Sequence, residues 1–242
     1  MKILALFFML MIASCGQMAK TTCPDKEAVK KAMKDFLPPD VKVEQISPSS
    51  EIKGICEVVF KAGIQSIIVY VDPQMQYVFA GNIISVKDRK NLTSERQKQF
   101  MSVSKDVLKE LESHVNVTLG EGSKYIYFIS DPDCPFCKRS NPVIEEWAKK
   151  SGVQVRLILY PLPIHPQAFD KSVALICDKK GFKEYTEGYT SKNLCEDGKK
   201  KVEANLRLME KLGVGGTPTF IGMNGRVITG LPPEEELNKL IN

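Results

Sequence analysis

The sequence predicts an α+β N-terminal domain joined through a long helix to an α/β C-terminal domain. In the N-terminal part, strand-like runs follow one another with only short turns between them, which is typical of an antiparallel sheet. Apolar residues from Phe100 to Val115 then recur at three- and four-residue steps and predict a helix. In the C-terminal part, an apolar strand at 125–129, a helical pattern and a second apolar strand at 153–160 predict a right-handed parallel crossover.

Length and composition are those of ordinary globular protein. The 242 residues are 43% hydrophobic and 26% charged, which allows one large domain or two modest ones. The formal net charge is +5, and basic residues are interspersed with acidic ones. No basic patch studded with aromatic residues stands out, so we expect no nucleic-acid partner.

The first residues have the pattern of an export signal. One lysine precedes an apolar run at 3–13 that is too short to span a bilayer, and small residues lead directly into Cys15. This pattern resembles a bacterial lipoprotein signal peptide over 1–14. It implies cleavage before Cys15, lipid attachment to its sulfur, and membrane anchoring through a tether at 15–24. An ordinary secretory signal cut a few residues later is the open alternative.

Seven cysteines are an odd number for an exported chain, in which a leftover thiol is a liability. Assigning Cys15 to a lipid leaves six, which fall along the chain as three successive pairs. The pairs are Cys23 and Cys56, Cys134 and Cys137, and Cys177 and Cys195. Such usage fits an oxidising compartment outside the cytoplasm.

The first and last pairs are interpreted as structural disulfides. Cys23–Cys56 would staple the small N-terminal domain, and two free core thiols are the alternative. Cys177–Cys195 would close a loop of about 18 residues, worth about 3 kcal/mol in the chain-entropy model. A second redox pair is the alternative there, but these cysteines lack the strand-to-helix setting of the middle pair.

The N-terminal domain is expected over 25–90. A helix at 25–37 carries Val29 and Met33 at helical spacing and ends at two prolines. Four strand-like runs follow, at 56–61, 65–71, 76–80 and 81–86. This makes a small core, so we expect the domain to gain stability from the staple or from pairing with a copy of itself.

A linker helix is predicted over 91–119. Ser94 and Gln97 match a capping box, and the apolar spacing continues to about His114. Between two domains such a helix would act as a rigid spacer. A helix packed wholly onto one domain is the open alternative.

The middle cysteine pair lies where a predicted strand passes into a predicted helix. Cys134-Pro-Phe-Cys137 follows a turn at 130–133 and precedes a helix at 139–150. The unpaired amides and the positive end of that helix favour a thiolate at Cys134, and Pro135 suits the first helical position. Because the cysteines are three residues apart, one helical turn places both sulfurs on one face, within disulfide reach. The pattern predicts a dithiol that opens and closes.

Half of a structural zinc site is the alternative interpretation of this motif, and it needs two further ligands. The sequence has no second CxxC, and its only histidines, His114 and His165, are not clustered. We therefore favour redox chemistry and expect no metal and no other cofactor.

The remaining C-terminal sequence completes the domain. A charged helical stretch at 166–212 is an insertion that holds the last cysteine pair. Gly216-Thr-Pro-Thr219 follows it, and Asn224-Gly225 predicts a tight hairpin turn. A closing helix is expected after Pro232-Pro233.

Cys134-Pro-Phe-Cys137 on its strand-to-helix turn, together with Gly216-Thr-Pro-Thr219 before the last hairpin, resembles the thioredoxin superfamily. The resemblance implies that Pro218 follows a cis peptide bond and lies against the redox pair. It also implies that backbone groups of Thr217 pair edge-on with an extended substrate.

The chain from 25 to 242 is similar to the DsbC/DsbG-type protein disulfide isomerases. Three features carry the similarity: the run at 81–93, the long helix, and Tyr160-Pro-Leu-Pro-Ile-His-Pro166 with the paired cysteines of the insertion. The similarity implies a cystatin-like dimerisation domain at 25–90 and a thioredoxin-fold catalytic domain at 120–242 with a helical insertion.

The same similarity implies a periplasmic, V-shaped homodimer whose uncharged cleft accepts misfolded exported proteins. Cys134 would attack a wrong disulfide and Cys137 would resolve the mixed disulfide, while Thr217 and Pro218 position the substrate. Isomerisation needs the reduced dithiol, so a membrane-embedded, DsbD-like thiol reductase is an implied partner.

Two other functions are alternatives. Pro135-Phe136 departs from the usual Gly-Tyr of DsbC-like members and is closer to DsbG-like and oxidase-like versions, so a thiol oxidase that donates disulfides is one. A holdase chaperone or adhesin-like surface lipoprotein with only structural cysteines is the other.

Charged residues flank the redox pair. Asp131 and Asp133 add negative charge, which opposes a thiolate at Cys134. Lys138 and Arg139 act in the opposite direction. The balance between isomerase and oxidase chemistry depends on this sum.

Overall fold

The computed structural model describes residues 21–38 and 41–242. The predicted signal peptide at 1–14 and the predicted lipidation site, Cys15, lie outside the described residues. Within the part of the chain that the structure describes, no helix combines the length and the apolarity needed to cross a bilayer.

The N-terminal region is built on a four-stranded antiparallel sheet whose strands lie in chain order. Its elements are α1 Lys26–Met33, β1 Lys42–Pro48, β2 Cys56–Ala62, β3 Gln65–Val71 and β4 Val78–Phe79. The Asp25 side chain caps α1 by accepting from the Ala28 N–H at 2.7 Å. Val29 and Met33, on the buried face of α1, pack into one core with apolar residues of β2 and β3.

A disulfide reinforces this small core. Cys23 is bonded to Cys56 at an S–S distance of 1.98 Å, and Cys56 is fully buried at the start of β2. The bond ties the segment before α1 to the sheet, so helix and sheet are joined covalently as well as by packing. Beyond β4 the chain forms a short ladder of β5 Ile84–Ser85 and β6 Lys90–Asn91.

The prediction of one linker helix over 91–119 is wrong. The structure has two shorter helices, α2 Leu92–Phe100 and α3 Lys105–Glu112, and then a strand, β7 Val117–Leu119. In the break at 101–104, the Val103 N–H donates to Gly225 O at 2.7 Å, in a hairpin of the C-terminal domain. The Ser104 side chain then caps α3. The chain exchanges one turn of helix for pairing with that hairpin, because tertiary contacts override a weak helical preference.

The C-terminal domain is a five-stranded sheet of order β11-β10-β8-β9-β7. Its strands and first helix are β8 Tyr125–Ser130, α4 Pro135–Ser151, β9 Gln154–Leu159, β10 Thr219–Gly222 and β11 Val227–Thr229. β8 and β9 pair in parallel across α4, as predicted. Ile126 and Phe128 of β8 face one core, and Tyr127 and Ile129 face the other. Because β8 is buried on both faces, its position in the domain is fixed. The start of α4, a few residues later, is therefore fixed as well.

The insertion between β9 and β10 is helical. It contains α5 Ala168–Cys177, α6 Phe182–Thr186 and α7 Glu196–Lys211, and α8 Glu234–Asn238 closes the chain. Cys177 and Cys195 are bonded at an S–S distance of 2.03 Å, which fixes the end of α5 to the start of α7. A Cβ at Gly198 would lie 2.5 Å from Cys177 Sγ. Glycine therefore allows α7 to approach the disulfide, although it weakens the helix.

The turn between β2 and β3 contacts the C-terminal domain. The Ile64 N–H donates to Leu212 O at 2.9 Å, and the Ile64 side chain is buried in one cluster with Leu212 and Val214. Gln65 Nε2 donates to Gly213 O at 2.9 Å. The two domains are therefore in direct contact within one chain and are not held apart by a rigid spacer.

Candidate redox site

The redox pair lies at the junction of β8 and α4. Cys134 occupies the N-cap position with an extended backbone (φ −65°, ψ 121°), and Pro135 is the first helical residue. The Lys138 N–H donates to Cys134 O at 3.0 Å and begins the helical ladder. Pro135 has no N–H that would need a partner at this position, so the sequence suits the junction it forms.

The two thiols differ in their environment. Neither Cys134 nor Cys137 is disulfide-bonded. Cys134 is 3% exposed and its Sγ lies 3.4 Å from Thr217 O, whereas Cys137, one turn further along α4, has no exposed surface. Burial raises the pKa of Cys137 to about 12. Of the two cysteines, only Cys134 therefore retains any exposed surface, and Cys137 is protonated at neutral pH.

The loop before β10 lies against Cys134. The Thr217–Pro218 peptide bond is cis, and Thr217 O is the acceptor that Cys134 Sγ contacts. Gly216 O accepts from Thr219 Oγ1 at 2.8 Å, where β10 begins. Since β10 pairs with β8, the sheet carries this loop to the redox pair. The structure thus places Thr217 and Pro218 next to the cysteine that they are predicted to serve.

A buried carboxylate organises the junction. Asp131 has no exposed surface, and its Oδ1 accepts from the N–H groups of Asp133 at 2.7 Å and Cys134 at 3.1 Å. Its Oδ2 accepts from the Leu162 N–H at 2.7 Å and lies 2.8 Å from His165 Nδ1. Four donors converge on one side chain and tie the end of β8 to the loop after β9. From the sequence, Asp131 is expected to act only through its charge, although an aspartate at the start of a turn commonly accepts from nearby backbone N–H groups.

Asp133 is neutralised by lysines. Lys171 Nζ lies 2.6 Å and Lys138 Nζ 3.4 Å from its Oδ1. Burial alone would raise the pKa of Asp133, but the hydrogen bond and charge of Lys171, helped by Lys138, lower it. Arg139, expected to oppose the acidic residues, instead lies 4.6 Å from the centre of the Phe136 ring. The sequence identified Lys138 but not Lys171, which the insertion supplies.

The insertion also places a hydroxyl beneath the redox pair. Tyr185, on α6, is buried, and its hydroxyl lies 2.5 Å from Ser130 Oγ at the end of β8. The same hydroxyl donates to Asp131 O at 3.4 Å. Burial, as the largest cause, raises the pKa of Tyr185 well above its usual range. Ser130 and Tyr185 are 55 positions apart, and nothing in the local sequence predicts their contact.

Both histidines have partners within the fold. His114 Nδ1 lies 2.9 Å from Asn205 Oδ1, and His165 Nδ1 contacts Asp131 as described. Across 21–38 and 41–242, no group of three or more histidine, cysteine or carboxylate side chains is arranged to hold a metal ion.

Comparison with known proteins assigns the two domains. The model of the disulfide bond isomerase protein N-terminal domain matches residues 20–94, and that of the thioredoxin-like domain matches residues 111–242. The second match covers more than half of the chain. This protein belongs to the thioredoxin-like domain family. The predicted fold class, an N-terminal domain of the DsbC dimerisation type followed by a thioredoxin-like domain with a helical insertion, is confirmed.

Curated relatives of this thioredoxin-like protein are named thiol:disulfide interchange proteins. The probable DsbC of Bordetella parapertussis is 27% identical over 180 residues, which are 74% of this chain and 63% of that protein. The DsbG of Pseudomonas aeruginosa is 24% identical over 194 residues, 73% of this chain and 75% of that protein. The chain thus spans less than two thirds of the length of the Bordetella relative.

A solved structure, the disulfide interchange protein from Neisseria gonorrhoeae, shares 30% sequence identity. It covers 52% of this chain and 91% of its own, with a TM-score of 0.44.

We expect Asp131→Ala to lower the free energy of unfolding by about 3 kcal/mol, because three backbone N–H groups and an imidazole lose their acceptor. Denaturant unfolding monitored by circular dichroism measures this loss. Asp133→Ala is the matched control, since among the described residues the Asp133 carboxylate pairs only with the side chains of Lys171 and Lys138 and accepts no backbone N–H, so its removal should cost less, about 1–2 kcal/mol. Equal losses in the two variants would contradict the organising role of Asp131.

Proposed function

We propose that this protein is a disulfide isomerase of the bacterial envelope, acting on wrongly paired disulfides in exported proteins. The observation that carries the proposal is the pair of free thiols at the start of α4. Cys134 lies against Thr217 O, and Cys137 is buried one turn behind it. The names of the curated relatives support the same class of chemistry.

The chemistry begins at Cys134. Its thiolate attacks one sulfur of a client disulfide, forms a mixed disulfide and releases the other client sulfur as a thiolate. A second client thiolate then attacks the mixed disulfide, closes a new client disulfide and returns Cys134 as a thiolate. This cycle moves a disulfide from one pair of client cysteines to another without net transfer of electrons.

Cys137 provides the step that releases the client from the mixed disulfide, called escape below. Its thiolate attacks Cys134 Sγ in the mixed disulfide, the client leaves with both of its sulfurs reduced, and Cys134–Cys137 becomes a disulfide. Two electrons from a membrane-embedded, DsbD-like thiol reductase must then restore the dithiol. Because burial raises the pKa of Cys137 to about 12, little thiolate is present at neutral pH and escape is slow. A slow escape leaves the client time to rearrange, which favours isomerisation.

The surface beside the thiols suits an unfolded polypeptide. Phe136, between the cysteines, is 54% exposed, and Ile164, in the loop that His165 ties to Asp131, is 76% exposed. Exposed apolar side chains bind the apolar segments of a misfolded protein without sequence selectivity. Thr217 and Pro218 offer the client backbone an edge beside Cys134.

The N-terminal domain supports a homodimer. β4 is the edge strand of its sheet, and both of its residues, Val78 and Phe79, are exposed. An apolar hollow of about 340 Å³ lies beside it, between Phe79, Tyr70 and Ile83. An exposed apolar edge strand is a template for pairing, and pairing with the same edge of a second copy would close it.

Export and anchoring complete the proposal. The Cys23–Cys56 and Cys177–Cys195 bonds are of the kind that persists outside the cytoplasm. We place the protein in the periplasm, with lipid on Cys15 and a tether at 15–24 that leads to the N-terminal domain. The cleft would then act at a membrane surface.

Refolding of scrambled ribonuclease in a redox buffer tests the activity. We expect the wild type to restore ribonuclease activity and Cys134→Ala to abolish the effect, because no mixed disulfide can form. Cys137→Ala should accumulate a covalent complex with the client, visible on a non-reducing gel. If Cys134→Ala were as active as the wild type, the protein would assist folding by binding alone, as a holdase does.

The rate of escape from the mixed disulfide should depend on pH. With the pKa of Cys137 at about 12, the thiolate fraction rises about tenfold per pH unit across the neutral range. We therefore expect release of a labelled cysteine peptide from Cys134 to accelerate about tenfold per unit from about pH 6 to about pH 9. Cys137→Ala, as the control, should show no release at any pH. A plateau near neutrality would contradict the protonated state of Cys137.

Phe79→Lys should convert a dimer into a monomer, because two lysines would face each other across the paired edges. We expect the dimer dissociation constant to rise by at least about tenfold, measured by light scattering over a dilution series. Phe36→Lys is the matched control, since Phe36 is also an exposed aromatic residue, 77% exposed against 56% for Phe79, but lies outside the sheet edge. A monomeric wild type, or equal effects of both substitutions, would refute pairing through β4.

A further inference from the structure

The tip of the β2–β3 hairpin, residues 62–65, contacts the thioredoxin-like domain at 212–214, just before Thr217 in the chain. This tip is called the docking hairpin. The Ile64 N–H donates to Leu212 O and Gln65 Nε2 donates to Gly213 O, each at 2.9 Å. The Ile64 side chain is 1% exposed and shares a core cluster with Val214. The docking hairpin therefore contacts both the backbone and the buried side chains of residues 212–214.

Only a short stretch separates these contacts from the redox pair. Val214 O accepts from the Tyr160 hydroxyl at 3.4 Å, and Gly216 O accepts from Thr219 Oγ1 at 2.8 Å. Thr217 O follows directly and contacts Cys134 Sγ. The loop at 212–219 is thus anchored at its start by the N-terminal domain and at its end by β10.

The loop has room to move away from its position. A cavity of about 440 Å³ lies between the docking hairpin, α2 and the loop, and its wall includes Ser66 and Gly215 to Pro218. Gly215 is exposed, and a Cβ at Gly216 would meet no heavy atom within 4 Å. Packing on this side does not hold the loop in place. The loop is held by hydrogen bonds from the Val214 N–H to Met209 O of α7, from the Gly230 N–H to Pro218 O, and from the docking hairpin.

We propose that the docking hairpin is a positioning element for the redox pair, with Ile64 and Gln65 holding the loop so that Thr217 O meets Cys134 Sγ. The N-terminal domain then acts on the redox equilibrium of its own chain, in addition to any pairing with a second copy. The inference rests on the proposed exchange chemistry of Cys134 and Cys137.

The direction of the effect follows from the hydrogen bond. Cys134 can donate to Thr217 O only as a thiol, because a disulfide sulfur carries no hydrogen. The contact therefore stabilises the protonated dithiol relative to the disulfide and to the Cys134 thiolate. Displacing the loop removes this stabilisation and shifts the equilibrium toward the Cys134–Cys137 disulfide. A thiol is a weak donor, so the expected shift is about threefold.

Two glycines of the N-terminal domain provide a matched pair of variants. Gly63, in the docking hairpin, has φ +59°, and a Cβ there would lie 2.3 Å from Leu212 O. Gly54, in the turn before β2, has φ +83°, and a Cβ there would meet no heavy atom within 4 Å. Gly63→Ala and Gly54→Ala both place a side chain in the left-handed region, but only the first forces the hairpin away from Leu212.

The measurement is the equilibrium of the full-length protein with glutathione. The dithiol and one oxidised glutathione give the Cys134–Cys137 disulfide and two reduced glutathiones. We expect Gly63→Ala to shift this equilibrium about threefold toward the protein disulfide and Gly54→Ala to leave it at the wild-type value. Hydrogen exchange of the Ile64 amide reports docking independently and should be faster only in Gly63→Ala. Gln65→Ala, which removes one hydrogen bond without backbone strain, should shift the equilibrium in the same direction by less.

Two results would overturn the inference. One is an equal shift in Gly63→Ala and Gly54→Ala, and the other is a freed Ile64 amide with an unchanged equilibrium. A wild-type pair that does not exchange with glutathione would refute the proposed function instead. Alkylation of Cys134 by iodoacetamide then decides the positioning role. A faster rate in Gly63→Ala than in Gly54→Ala would support it, since Thr217 lies against the sulfur, and equal rates would refute it.

Discussion

The redox site depends on the acceptor capacity of one buried carboxylate. Asp131 receives the N–H groups of the turn, including that of Cys134, and the N–H of Leu162 in the loop after β9. A carboxylate that satisfies several buried donors cannot be displaced without leaving those donors unpaired, and each would cost about 1–3 kcal/mol. The start of α4 is therefore fixed relative to the sheet, and His165 extends the same network toward the surface. The position of Cys134 at the start of α4 is a consequence of this arrangement.

The fixed junction also explains why the two thiols are unequal. Cys134 stands at the N-cap, where the helix offers free N–H groups, whereas Cys137 lies one turn inward against the core. Burial is the largest cause of the protonated state of Cys137, because the thiolate would lose its hydration there, and the charge of Cys134 acts in the same direction. Ser130 and Tyr185 provide hydroxyl groups beneath the pair. In the proposed mechanism, Cys134 attacks first, whereas Cys137 must lose its proton before it can attack.

The sequence predicts the parts of this site that depend on local pattern. The strand, the CPFC turn, Pro135 at the first helical position and the parallel β8–β9 pair all follow from periodicity and capping. The break at 101–104 does not, because the apolar spacing continues through it and only pairing with Gly225 opposes the helix. The contacts of Tyr185 with Ser130 and of Lys171 with Asp133 are not predictable from the sequence either, because the partners lie tens of positions apart in the chain. Local preference can be read from neighbours in sequence, whereas tertiary partners cannot.

The N-terminal sheet connects two surfaces with different roles. β3 begins at the docking hairpin, which holds the loop before Thr217, and its far end pairs with the exposed edge strand β4. β3 pairs with β2 along its whole length, so both ends of β3 belong to one hydrogen-bonded sheet. The proposed pairing through β4 would therefore involve the same strand whose start contacts the loop before Thr217. The edge proposed for pairing and the hairpin that contacts the loop before Thr217 thus lie at opposite ends of β3. In the proposed function, the N-terminal domain therefore positions this loop as well as pairing with a second copy.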